Sequence, residues 1–174
     1  MIKLEMLKRR FPENTMASGD IMIKDIAESR RLDRQIHEDS PDIQATFHGM
    51  ILSRHYWPEK ELKEPMALWD EADQQRYEAK FKHYKASRKL HWAPTQGAVS
   101  IELEFQSRTV EMTTDPISAL VISLFQGKEQ RYSDEEIGHK INVDLDKVTQ
   151  SLEYWEKEGI LVLCSDCRYQ LVEP

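Results

Sequence analysis

The stretch ASRKLHWAPTQG, residues 86–97, gathers the side chains best suited to chemistry. Arg88 and Lys89 stand beside His91 and Trp92, and Pro94 and Gly97 then break the chain. Cations pair with phosphates and rings stack on bases, so this pattern fits nucleic-acid recognition. It equally fits a joint between two elements. A second pattern is C-x-x-C at Cys164 and Cys167. Structural zinc sites need four ligands and usually pair two such motifs or add histidines. There is no second pair here, and His139, the nearest histidine in sequence, would leave the site a ligand short. A thioredoxin-like pair would open a helix in a βαβ unit, whereas this one spans a hairpin turn. Two thiols flanking Ser165-Asp166, or a metal shared with a second chain, are the readings that remain.

His37, His48, His55, His83 and His91 include no pair of histidines four apart and no H-E-x-x-H. No glycine-rich phosphate loop and no G-x-S-x-G elbow occurs. Glu59, Glu61 and Glu64 read as solvated loop charge. The expectation is a protein with no catalytic residues, no cofactor and no metal of its own.

Composition narrows the class further. The 174 residues are 40% hydrophobic and 32% charged, which suits a polar globular chain with one or two cores. No apolar run approaches the roughly 20 residues that cross a bilayer. The opening MIKLEMLKRRFPE lacks the apolar centre of a signal peptide. With only two cysteines, a disulfide scaffold is not expected, and a reducing nucleus or cytoplasm fits. A net charge of −7 opposes general nucleic-acid binding.

The elements that must position these residues fall into three sections. In residues 1–44, Phe11-Pro12 breaks an opening turn, and Ser18 is placed to cap a helix carrying Met22, Ile23, Ile26, Ala27 and Ile36. Its polar face, ESRRLDRQ, carries paired charges, and the helix needs neighbours to bury its other side. That makes it the end of a helical bundle. In residues 45–114, TFHGMILS (Thr46–Ser53) has strand composition, followed by a turn through Tyr56, Trp57 and Pro58. A helix over Pro65–Ser87 aligns Trp69, Tyr77, Phe81 and Tyr84. AVSIELEF and RTVEMTT then alternate as a hairpin. This section reads as a small α/β sheet covered by one helix.

Residues 115–174 read as three helices and a wing. Asp115-Pro116 opens the first helix, which Gly127 ends; Ser133 and Glu136 form a capping box for the second. Asp144 caps a third carrying Leu145, Val148, Leu152 and Trp155, which stops at Gly159. ILVLC and CRYQLV close as a hairpin. The fold class expected is therefore α+β, ending in a winged-helix domain with a C-terminal β-hairpin. A DNA-reading third helix should present Arg, Lys, Asn or Gln. This one shows Asp144, Asp146, Glu153, Glu156 and Glu158 against Lys147 and Lys157, and would forfeit counterion release on a polyanion. A protein-interaction module fits better than the competing nucleic-acid reading.

Four stretches in order, LKRRFPENTM with IMIKDIAESRRLDRQI, then MILSRHYWP, then ASRKLHW with Gly97, resemble the C-terminal region of cullins. The arginine-rich helix and the RRF element are most similar to the divergent cullin of the anaphase-promoting complex. The resemblance implies a non-catalytic scaffold within a ubiquitin ligase. Its partner would be a RING subunit that adds a strand to the α/β sheet and recruits a ubiquitin-conjugating enzyme. No nucleic-acid or membrane partner is implied. The receiving strands would be Thr46–Ser53 and Ala98–Phe105, with Phe47, Met50, Leu52, Ile101, Leu103 and Phe105 at the RING interface. Alternatively these side chains pack on Tyr77, Phe81 and Tyr84. Trp57 and Trp92 are expected to anchor the core. The family's N-terminal repeat stalk and second winged helix have no counterpart here. The chain thus reads as a fragment that would neither carry the family's modified lysine nor contact the conjugating enzyme through that module. An exposed sheet edge would leave it prone to self-association.

Overall fold

The computed structural model describes residues 13–57, 71–106, 108–127 and 130–172, with side chains from residue 18 onward. Pro58, Pro65, Trp69, the three loop glutamates and the RRF element lie outside the described residues. The chain divides into two compact units, one holding the described residues up to His91 and the other beginning at Trp92. The division falls inside the section read as residues 45–114.

The first unit is built on α1, Glu13–Asp39. The helix is already running at Glu13, so Ser18 lies within it and is not its cap. Leu32 and Ile36 are fully buried, while Ile23 stays half exposed. The helix ends at Asp39, and Ser40, the residue before Pro41, is steered away from helical geometry by the proline ring. Helix α2, Glu71–Tyr84, lies against α1. Glu71 and Asp73 sit in its first turn and Lys82 and His83 in its last, each sign matched to the helix dipole. Tyr77 and Phe81, one turn apart, are its buried aromatics. Tyr84, half-buried, donates its hydroxyl to the Asp39 carboxylate. Because α2 stops at Tyr84 rather than Ser87, Arg88 and Lys89 lie beyond it in exposed chain.

Thr46–Ser53 corrects the sequence reading. Thr46 lies in a turn, and residues 47–53 run on without forming a strand or pairing with one among the described residues. Side chains of α1 take the backbone groups that a neighbouring strand would have taken.

The second unit opens with a hairpin. Gly97, at φ +131, turns the chain into β1 (Val99–Glu104), which pairs antiparallel with β2 (Thr109–Thr114) from Val99↔Thr114 to Glu104↔Thr109. The alternation holds: Val99, Ile101 and Leu103 are half-buried, whereas Ser100, Glu102 and Glu104 are exposed. Helix α3, Pro116–Ser123, starts as expected, with Asp115 accepting from the N–H groups of Ile117 and Ser118. It ends at Ser123, short of Gly127. Helix α4, Asp134–Ile141, carries the expected capping box, in which Ser133 Oγ accepts the Glu136 N–H and Glu136 accepts the Ser133 N–H. Asn142, at φ 53, closes it in the left-handed region. Helix α5, Leu145–Lys157, has Asp144 at its cap position without a side-chain cap bond, and Gly159 at φ +72 turns the chain away.

A short β3, Arg131–Tyr132, lies ahead of α4 and was not expected from the sequence. β4 (Leu161–Leu163) and β5 (Tyr169–Leu171) form the terminal hairpin. β3 pairs with the far edge of β5 to give the order β3-β5-β4. Leu120, Val121, Ile137, Ile141, Val148, Leu152 and Trp155 fill the core. Trp155 donates its indole N–H to the Ser118 carbonyl at 2.9 Å, so the largest buried ring is satisfied. Ile101, Leu103, Phe105 and Met112 pack against this same core. The hairpin thus packs on the core of its own unit. Sequence spacing could not have shown this, because an apolar strand face fits any apolar layer. The class is α+β.

Candidate interface

A ladder of side chains on α1 holds the extended segment. His37 Nε2 donates to the Phe47 carbonyl at 2.8 Å, and the Gly49 N–H donates to Asp33 Oδ1 at 2.9 Å. The Ile51 N–H donates to Ser29 Oγ at 2.6 Å, and the Ser53 N–H to Asp25 Oδ2 at 2.9 Å. The acceptors and donors on α1 fall at every fourth residue, and their partners fall at every second residue, in reverse order. Four helical residues advance about 6 Å, and two extended residues about 6.6 Å. The two repeats therefore stay in step across four rungs. A Ser or Asp at each of the three lower rungs supplies an acceptor short enough to reach the backbone.

Asp25 anchors the last rung. Its second oxygen accepts the Ser53 hydroxyl at 2.9 Å, and the Trp57 indole N–H donates to the first at 3.0 Å. Burial pushes this carboxyl upward, but the Ser53 bonds, the Trp57 bond and the nearby Arg88 charge outweigh it and hold it below the usual carboxylate range. Trp57, half-buried, thereby ties the chain to α1. The Arg88 charge thus acts on a carboxylate of its own chain.

An extended backbone points alternate residues to opposite sides. The backbone groups of residues 47, 49, 51 and 53 turn to α1, which leaves those of His48, Met50 and Leu52 pointing away, while the His48 side chain folds back to Asp33 on α1. Among the described residues, nothing bonds the backbone N–H or C=O of these three. The segment is a strand edge whose inner side is satisfied by a helix and whose outer side is open.

The six residues read from the sequence are not equivalent. Phe47 is half-buried and meets Tyr77 edge-on at 5.9 Å between ring centroids. Leu52 is half-buried, and Met50 is 68% exposed. Ile101, Leu103 and Phe105 belong to the other unit and pack on its core. Trp92, half-buried, also belongs to that unit.

The acidic face of α5 is as expected, with Asp144, Asp146, Glu153, Glu156 and Glu158 exposed. Two cations of that unit are paired: Arg168 contacts Glu136 at 3.0 Å and Arg131 contacts Asp166 at 3.7 Å. Cys164 and Cys167 are free thiols at a turn closed by the Cys167 N–H on the Cys164 carbonyl. Among the described residues no helix is long and apolar enough to cross a membrane.

The sequence reading missed one constellation. Asp33, His37 and His48 bring one ligand atom each within 4.8 Å of one another. The signal was D-x-x-x-H at 33 and 37 on a helix; a search for histidine pairs alone passes over it.

Comparison with known proteins places the chain in a family. Residues 51–166 match the family model described as the cullin alpha+beta domain. The chain is 29% identical over 167 residues to "Anaphase-promoting complex subunit 2" of Homo sapiens, covering 91% of this chain and 20% of that protein. It is 28% identical over 172 residues to the protein of that name in Arabidopsis thaliana, covering 91% and 19%. With the Schizosaccharomyces pombe protein it shares 30% identity over 173 residues, covering 98% and 25%. The chain spans about a fifth to a quarter of the length of these curated relatives.

Proposed function

The chain belongs to the cullin alpha+beta domain family, and from that premise we propose that it is a non-catalytic scaffold segment of a multisubunit ubiquitin ligase, the anaphase-promoting complex. Its task is to hold a RING subunit, which in turn recruits a ubiquitin-conjugating enzyme. The observation that carries this reading is the open backbone edge at His48, Met50 and Leu52. An incoming extended chain would pair with those groups, taking affinity from main-chain hydrogen bonds and register from alternate side chains. The ladder to α1 keeps the edge straight before a partner arrives, which lowers the ordering cost of docking. Met50 is the residue of the six that is free to be covered. Ile101, Leu103 and Phe105 already face a core of their own, so the edge over Phe47–Leu52 is the docking site of choice.

The second unit reads as a winged helix, with α3–α5 as its three helices and β4-β5 as its wing. The acidic α5 surface favours a protein partner over nucleic acid. A scaffold of this kind would work in the nucleus and cytoplasm.

Met50→Pro tests the docking edge. Among the described residues the Met50 N–H has no partner, so removing it leaves the ladder intact but deprives an incoming strand of a bond. Gly49, as the residue before proline, is held to the extended geometry it already needs. The folded variant should lose co-purification with the RING subunit of the complex. Undiminished capture by a folded Met50→Pro chain would remove the proposal.

A further inference from the structure

We propose that Asp33, His37 and His48 form a binding site for a divalent transition-metal ion of the zinc class. Asp33 and His37 lie one turn apart on α1, and His48 reaches them from the extended segment. His48 Nδ1 is 2.9 Å from Asp33 Oδ2, and His37 Nε2 is 3.9 Å from Asp33 Oδ1. Ligands about 2.0–2.1 Å from a tetrahedral ion lie about 3.4 Å from one another. One ligand atom from each of the three residues lies within 4.8 Å of the others, a spacing from which a small adjustment of the side chains reaches that value. Two imidazoles and a carboxylate are a donor set that zinc and its neighbours accept.

The surroundings favour a site over a chance cluster. Asp33 Oδ1 accepts the Tyr77 hydroxyl at 2.8 Å and the Gly49 N–H at 2.9 Å, which fixes the carboxylate and turns Oδ2 to His48, where an ion would take the place of their hydrogen bond. Ligating carboxylates are commonly oriented by such outer bonds. Asp33 and His37 are largely buried, at 13% and 18% side-chain exposure, while His48 is 63% exposed. An ion could therefore enter from the His48 side and keep a coordination position open to solvent. Binding exchanges the His37 bond to the Phe47 carbonyl for a coordinate bond. It would clamp the extended segment onto α1 by its first turn, independently of any partner on the outer edge.

The test is Zn²⁺ titration of the purified chain by calorimetry, with Co²⁺ absorption as a second readout. The background carries Cys164→Ser and Cys167→Ser, which removes the thiols from the answer. One equivalent should bind, with the visible absorption of a four-coordinate cobalt centre. His48→Ala, at an exposed position, should keep the circular dichroism of the fold and weaken binding by at least about tenfold, as should His37→Gln. The introduced amide can still donate to the Phe47 carbonyl, so loss of binding in that variant reports on ligation. Absence of saturable binding in this background, or equal affinity in His48→Ala, would overturn the site. Neither result bears on the docking edge, since no partner is present.

Discussion

Tyr77 donates its phenolic hydroxyl to Asp33 Oδ1 at 2.8 Å, joining α2 to α1 across 44 positions of sequence. The same hydroxyl lies 3.4 Å from the Gly49 carbonyl. Burial first, and then the Asp33 bond and charge, push the Tyr77 phenol far above its ordinary value, so it stays a donor at every working pH. One buried ring thereby fixes a helix, its neighbour and the extended edge at a single point.

Tyr77→Phe keeps the ring and deletes the donor. The variant should lose about 1–3 kcal/mol in urea unfolding, because Asp33 is left short of a partner. Gly49→Ala attacks the same point sterically, since a Cβ there would sit 2.5 Å from the Tyr77 ring and hydroxyl. A ring with no exposed surface has nowhere to go, and a loss of about 1–3 kcal/mol is expected.

Acid should loosen the last rung of the ladder. The folded Asp25 carboxyl lies below its unfolded value of 3.8. Its stabilisation is therefore complete above that value and is lost as pH falls through the lower, folded one. Asp25→Asn should flatten the stability–pH curve below about pH 4, measured by thermal midpoints across an acid series. Unchanged curvature would show that Asp25 does not carry that limb.

The helix starts of the second unit rest on two side chains. Asp115 accepts two backbone N–H groups and the Ser118 hydroxyl, and Ser133 completes a capping box. Asp115→Ala and Ser133→Ala should each cost about 0.5–2 kcal/mol in denaturant titrations. Asp115→Ala should be the larger, because it frees three donors rather than one.

Cys167 sits at φ 59 in the terminal turn, a conformation unfavourable for a side chain with a Cβ. Cys167→Gly should leave the thermal midpoint unchanged or raised, whereas Cys167→Val should lose about 1–2 kcal/mol of stability. Thiol labelling should reach Cys167 before Cys164, since the first is exposed and the second half-buried.

The sequence by itself determined what depends on near neighbours. The β1–β2 hairpin, the Asp115-Pro116 start, the Ser133–Glu136 box and the Gly159 stop are all settled by contacts or dihedral preferences within a few residues. The acidity of α5 was equally legible, because exposed charge is a matter of composition and face. The ordered stretches from LKRRFPENTM to ASRKLHW pointed to the family that the comparisons returned. What the tertiary structure decided is where each apolar or polar face finds its partner. Val-, Ile- and Leu-rich strand faces suit any apolar layer, so β1 could not announce that it packs on the core filled by α3–α5. Thr46–Ser53 has the composition of a strand, yet its hydrogen bonds go to Asp25, Ser29, Asp33 and His37. That exchange follows from matching two repeats, four residues of helix to two of extended chain, and the match exists only once α1 and the segment lie side by side. The cluster of Asp33, His37 and His48 has the same origin, with two of its members on the helix and the third brought in by the ladder.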